Sequence, residues 1–301
     1  MKTKKKILVA IDFDEQSLIA LRYAKYFAEI SKYDLEVMTV IEESSFMSKL
    51  FSSDEMLIKI NKEAKKNIDE VIGSIPEGIK IFTRIENGKP HEKIIDVAEE
   101  IKPAFIFMGK SELPKYKRPF VGSNSMHVIL DSIYPVITIR GNYNFDTYKN
   151  NHREILVPLD FESETAEQIT AAIEFAQMFG TSLKILAIQT TGGKGKEMNL
   201  LTKLGKVKIV IEKAGVVCDT ELIKEEKRSI PEVISELSVK NKSALVVIMT
   251  RQEGRFAEYV LGSNARDIIS GLDIPVLSIQ PWDTNEESKI FSLIFDPMNL
   301  Y

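Results

Sequence analysis

The chain states one pattern twice, and that repetition limits its fold more than any single motif. Ile155-Leu156-Val157-Pro158-Leu159-Asp160-Phe161 repeats Ile7-Leu8-Val9-Ala10-Ile11-Asp12-Phe13 at an offset of 148 residues. Phe175-Ala176 repeats Phe27-Ala28, and Leu183 repeats Leu35, at the same offset. Further on, Gly262-Ser263-Asn264 repeats Gly122-Ser123-Asn124 and Pro275-Val276 repeats Pro135-Val136, both at 140. The second copy is therefore eight residues shorter between its second strand and its fourth helix. Correspondence of this extent marks a duplicated unit. A chain of 301 residues suits two domains, each large enough for its own core. We expect domains at 1–141 and 154–281, a polar, turn-rich linker at 142–153 and a tail at 282–301.

Within the first copy, apolar runs alternate with helical patterns. Residues 6–11 are apolar on both faces, as a buried parallel strand requires. Acidic and hydroxyl residues follow, and then Leu18, Leu21, Ala24 and Phe27 fall at helical spacing. Further strands are expected at 35–41, 80–85, 104–108 and 135–139, with helices at about 53–72, after Pro90 and from Gly122. Five strands alternating with four helices predict an α/β fold of two repeated domains. Each is a five-stranded, mostly parallel sheet with helices on both faces.

The stretch from Phe107 to Asn124 carries the main chemical signal. A strand ends at Gly109, and Gly122-Ser123-Asn124 opens a helix after a loop holding Lys110, Lys115, Lys117 and Arg118. Backbone N–H groups and the positive end of a helix dipole suit a phosphate there. The alternative is a surface loop with solvated lysines, and short glycine patterns do not choose between the two.

Other features narrow the classes. A net charge of -4 argues against nonspecific nucleic-acid binding. The single cysteine, Cys218, allows no intrachain disulfide and no cysteine-based zinc site, which fits a cytoplasmic protein. No run approaches the roughly 18 apolar residues of a membrane span, so no membrane partner is expected. Thr190 to Lys196 lacks Walker spacing and reads as a flexible basic loop. His91, His127 and His152 fall on separate elements without metal-ligand spacing. Asp12 and Asp160 read as helix caps or bases without partners, and Cys218 as a buried inert thiol in a strand.

The openings ILVAIDFDEQSLIAL and ILVPLDFESETAEQI, with the Gly-Ser, helix, Pro-Val, strand endings, resemble the universal stress protein family in a tandem form. The resemblance covers nearly the whole chain apart from linker and tail. It implies an adenine nucleotide hydrolase-like fold in each copy. In many members it also implies ATP held by two glycines after the fourth strand and a later Gly-Ser. Carried over, Asp12 would lie near the adenosine and Val40 would offer its backbone to the base. Gly109, Gly122 and Ser123 would face the phosphates, with Lys110 and Asn124 beside them. The family's second glycine is Glu112 here, a charge opposed to phosphate unless it helps to hold Mg²⁺. The second copy keeps Asp160, Gly262, Ser263 and Asn264 as a weaker site, but Met249 and Gln252 replace its glycines.

The resemblance thus implies a cytoplasmic stress regulator binding ATP in its first domain. A scaffold with decayed sites is the alternative, and a slow ATP hydrolase ranks third, since no nucleotidyl-transferase signature is present. It also implies that Pro135–Arg140 and Pro275–Gln280 could pair the halves. The apolar tail at Ile290–Phe295 would dock on its own chain or join two chains as a homodimer.

Overall fold

The computed structural model describes residues 4–42, 54–110, 124–140, 154–161, 165–250 and 262–280. The chain divides into two compact units, 1–143 and 144–301.

The first unit runs β1 (Lys6–Ala10), α1 (Glu15–Ser31), β2 (Asp34–Ile41), α2 (Asp54–Ile72), β3 (Ile81–Asn87), α3 (Pro90–Ile101), β4 (Phe105–Gly109), α4 (Asn124–Asp131) and β5 (Val136–Ile139). Its strands lie in the order β3-β2-β1-β4-β5, and every pairing is parallel. Consecutive residues Ile7, Leu8 and Val9 are all fully buried, so helices cover both faces of the central strand. Helix α1 starts where the Asp14 side chain accepts a hydrogen bond from Ser17 N at 2.7 Å, and it ends at Lys32 in a left-handed turn. Its apolar face meets β4 through Tyr23, Phe27, Phe105 and Phe107, whose ring centroids lie 5.0 to 6.1 Å apart.

The second unit repeats the order with β6 (Ile155–Leu159), α5 (Thr165–Phe179), β7 (Leu183–Gln189), α6 (Lys194–Lys213), β8 (Cys218–Lys224), α7 (Ile230–Lys240), β9 (Leu245–Met249), α8 (Ser263–Gly271) and β10 (Val276–Ile279). Its strand order is β10-β9-β6-β7-β8, again parallel. One expectation fails here. The stretch from Thr190 to Lys196 is not a loop throughout, because α6 begins at Lys194 with Gly193 as its N-cap. Gly192 takes a left-handed φ of 104° and its carbonyl accepts a hydrogen bond from Gln189 Nε2, so the two glycines turn the chain into the helix.

Two differences separate the units. Strands β1 and β4 pair over four residues, from Ile7↔Phe105 to Ala10↔Met108. The counterpart β6 and β9 pair only at Ile155↔Leu245 and Leu156↔Val246. Pro158 stands where the first unit has Ala10, and a proline offers no N–H to continue the ladder. The side chain of Gln168 fills the gap, and its Nε2 donates to the carbonyls of Pro158 and Val247, each at 2.9 Å.

The second difference is electrostatic. Buried Glu36 on β2 pairs with Lys6 at 2.8 Å and with Arg84 at 3.2 Å. Glu154, Lys184 and Glu221 occupy the corresponding positions, so all three charges are reversed, and Lys184 pairs with Glu221 at 3.0 Å and with Asp219. Arg84 also makes a two-point pair with Glu100, which holds its guanidinium above the usual range. Burial raises the Glu154 carboxyl above its ordinary value, with Lys184 opposing.

Candidate functional site

In each unit the order of strands reverses beside the central strand, β1 or β6, because one neighbour precedes it in the winding and the other follows. Chains leaving the carboxyl ends of those strands part to opposite faces and leave a crevice, the usual ligand position in such sheets. In the first unit Asp12 follows β1 after Ile11 and is exposed, while Val40 lies near the end of β2 and Gly109 ends β4. The register Ala10↔Met108 sets Asp12 and Gly109 on neighbouring strand ends. Half-buried Asn124 opens α4. Asp12, Val40, Gly109, Lys110 and Asn124 are thus set around one edge. Gly122, Ser123 and Glu112 lie outside the described residues, as do Gln252 and the tail.

The backbone at this edge is strained in both units. Phe13 has φ 66° and Phe161, its counterpart, φ 61°. A bulky residue in the left-handed region costs on the order of 1–3 kcal/mol, and such strain gathers at functional turns. Asp12 does not cap α1. Its Oδ1 accepts from Asp14 N at 3.1 Å, and Asp14 provides the cap. Desolvation, with the Asp12 carboxylate nearby, raises the pKa of Asp14.

Packing bears on two of the expected residues. Gly109 was read as space for a phosphate, yet a Cβ there would lie 2.5 Å from Gln16 C and Ser17 N. The glycine is therefore required by the close approach of α1 to β4. Lys110, expected beside the phosphates, is 7% exposed, and its backbone N–H donates to the Ile139 carbonyl at 2.8 Å. The histidines read as scattered are in part gathered: the His91 and His127 rings stack with centroids 4.7 Å apart. Among the described residues no group of three metal-ligating side chains forms around them. Cys218 begins β8 and is buried, and burial pushes its thiol up to about 12, so it stays protonated.

In the second unit Asp160 is exposed after β6, Gly262 is the N-cap of α8, and Ser263 and Asn264 form its first turn. The crevice is a cavity of about 290 Å³ lined by Asp160, Gly262 and Asn264 together with Thr165, Gln168 and Met249, and otherwise largely by aliphatic side chains. Thr165 and Gln168 were missed by motif reading because neither belongs to the glycine pattern. The exchange of Ala10 for Pro158 inside the repeat was the signal that could have pointed to them.

A model of the universal stress protein family matches residues 4–140 and again 151–280. The chain belongs to the universal stress protein family. It is similar to a universal stress protein of Methanocaldococcus jannaschii, 28% identical over 153 residues, covering 45% of this chain and 94% of that protein. A universal stress protein of Bacillus subtilis is 27% identical over 145 residues, covering 45% and 98%. Over the whole tandem chain, the crystal structure of a universal stress protein from Archaeoglobus fulgidus aligns with a TM-score of 0.73 at 20% identity, covering 93% of this chain and 100% of that one. That last likeness shows the fold. Among the described residues, no helix of this family member is long and apolar enough to cross a membrane.

Proposed function

We propose that the first unit binds an adenine nucleotide, ATP in the fullest form of the reading, and that the chain acts as a cytoplasmic stress-response regulator through that binding. The observation that carries it is Asp12, an exposed carboxylate at the end of the central strand where the strand order reverses. An acidic residue in that place suits ribose hydroxyls, the start of α4 beside it suits an anion, and Val40 lies within the same edge. The residues assigned to the nucleotide are Asp12, Val40, Lys110, Asn124 and, from sequence, Gly122 and Ser123. Gly109 acts by letting α1 close on β4, which sets the width of the crevice. A Mg²⁺ ion would offset the carboxylates of Asp12 and Asp14 against the phosphates.

Titration calorimetry of the full chain with ATP and Mg²⁺ tests this. The reading expects saturable heat below millimolar ligand and at least a tenfold loss of affinity in Asp12→Ala. Absence of heat at millimolar ATP would refute it. A second reading, an interaction module with a decayed site, is favoured for the second unit alone, where Met249 occupies the glycine position. Homodimer formation through Ile290–Phe295 belongs to the same proposal, with light scattering as its measurement.

A further inference from the structure

Helix α6 of the second unit is apolar on two opposite sides. Leu204, Val207, Val210 and Ile211 are buried and seat it against β7 and β8. The other side carries Lys194, Met198, Leu201, Gly205, Ile209 and Lys213, which recur at steps of three and four and are all exposed. Met198 is 66% exposed and Ile209 52%, and Val217 in the turn after the helix is exposed as well. Of the nine large apolar side chains exposed among the described residues, four lie between Met198 and Val217. Single exposed apolar residues are ordinary, but a row of them marks a surface that something covers.

The corresponding helix of the first unit has no such row. Buried Ile68 and Ile72 of α2 match buried Val207 and Ile211 of α6. Counted from them, Met198, Leu201, Gly205 and Ile209 correspond to Lys59, Lys62, Lys66 and Glu70. Those four are charged and exposed, and Lys66 pairs with Glu70 at 3.6 Å. The repeat thus gives a solvated face in one copy and an apolar one in the other. Charge decides what suits the apolar face. Helix α6 holds six lysines against two glutamates, and both glutamates are already paired, Glu197 with Lys224 and Glu212 with Lys208. Lys194, Lys196 and Lys213 are exposed and make no ion pair among the described residues. Lys194 and Lys196 also lie in the first turn, where the helix dipole opposes a cation.

We propose that this face of α6 rests on an anionic phospholipid surface, with Met198, Leu201 and Ile209 at the acyl boundary and the lysines on the lipid phosphates. An apolar row flanked by lysines, on a helix lying in the plane of the surface, is the arrangement of interfacial helices. From Met198 to Ile209 the row spans about 16 Å of helix. A second copy is a poor occupant, because two such faces would set lysines against lysines. A protein partner fits less well too, since the face has no aromatic anchor and the cores of protein interfaces are poor in lysine. The contact is peripheral, needs no membrane-spanning helix and is independent of nucleotide in the first unit.

Flotation of the full chain with lipid vesicles tests this. Vesicles of phosphatidylcholine with about one third phosphatidylglycerol should carry the chain upward at low salt, and vesicles of phosphatidylcholine alone should not. Salt above physiological strength should weaken binding at least fivefold, because it screens the lysines. Met198→Asp with Ile209→Asp should weaken it at least tenfold, and so should Lys194→Glu with Lys213→Glu. All four positions are exposed, so thermal unfolding of these variants should match that of the parent. Lys59→Glu with Lys62→Glu on α2 should leave binding within twofold. No flotation with anionic vesicles, equal flotation with neutral ones, or binding that survives Met198→Asp with Ile209→Asp overturns the proposal. Capture by soluble polyglutamate without vesicle binding would assign the face to an acidic protein. A dimer in light scattering that Met198→Asp abolishes would assign it to a second copy, and either result overturns the lipid surface as its occupant.

Discussion

The seam between β1 and β4 and the seam between β6 and β9 occupy the same place in two copies of one fold, and they are built differently. In the first, four paired residues and a glycine let the helix start press onto the strand end. In the second, proline stops the ladder, a glutamine amide replaces the lost backbone donors, and methionine stands at the glycine position. A parallel sheet thus tolerates a break at its centre when a neighbouring helix supplies the missing N–H groups. The break leaves space at the carboxyl edge, the usual ligand position in sheets of this kind.

Exchanging residues between the copies is the sharpest way to break this comparison. The largest effect is expected from charge. Glu36→Lys would bury a third cation beside Lys6 and Arg84 and should cost about 3–5 kcal/mol in chemical denaturation of the first unit. Adding Lys6→Glu and Arg84→Glu, to reproduce the arrangement around Lys184, should recover most of that loss. Next, Gln168→Leu leaves the Pro158 and Val247 carbonyls without donors. It should cost about 2–4 kcal/mol, visible as faster hydrogen exchange at β6 and β9, while β1 and β4 are unchanged. Gly109→Ala forces α1 away from β4 and should cost about 1–3 kcal/mol. By the same comparison Met249→Ala removes only a half-buried side chain and should cost less, about 1 kcal/mol.

The smallest effect is a pH dependence in the second unit alone. Backbone N–H groups of Lys227 and Arg228 and the Arg228 guanidinium hold the Glu225 carboxyl down at about 2, from an ordinary 4.5. A depressed carboxylate stabilises fully above its unfolded value and loses that contribution as pH falls through the folded one. Denaturation midpoints of Glu225→Gln should therefore lie below those of the parent at pH 6 and converge with them between pH 4.5 and 2.

Much of the fold was legible because buried parallel strands read as unbroken apolar runs, and Ile7–Val9 and Ile155–Val157 are such runs. The repeat then required two units of one topology. Where the reading failed, the cause was contact across sequence. Gly192 and Gly193 read as a loop, since nothing local reveals that a glycine pair leads into α6. The packing requirement at Gly109 was hidden because the α1 backbone that lies against it is distant in sequence. His91 and His127 meet only because α3 and α4 lie side by side. Gln168 looked like an ordinary polar residue of an amphipathic helix. Its importance depends on Pro158, ten residues earlier on a different element.

Co-crystallisation of the full chain with ATP and Mg²⁺ at saturating concentration tests the central claim most directly. The account predicts nucleotide density in the first unit beside Asp12 and the start of α4, with none in the cavity lined by Gln168 and Met249. Nucleotide seated in the second cavity, or a first crevice filled by protein side chains at saturation, would contradict it.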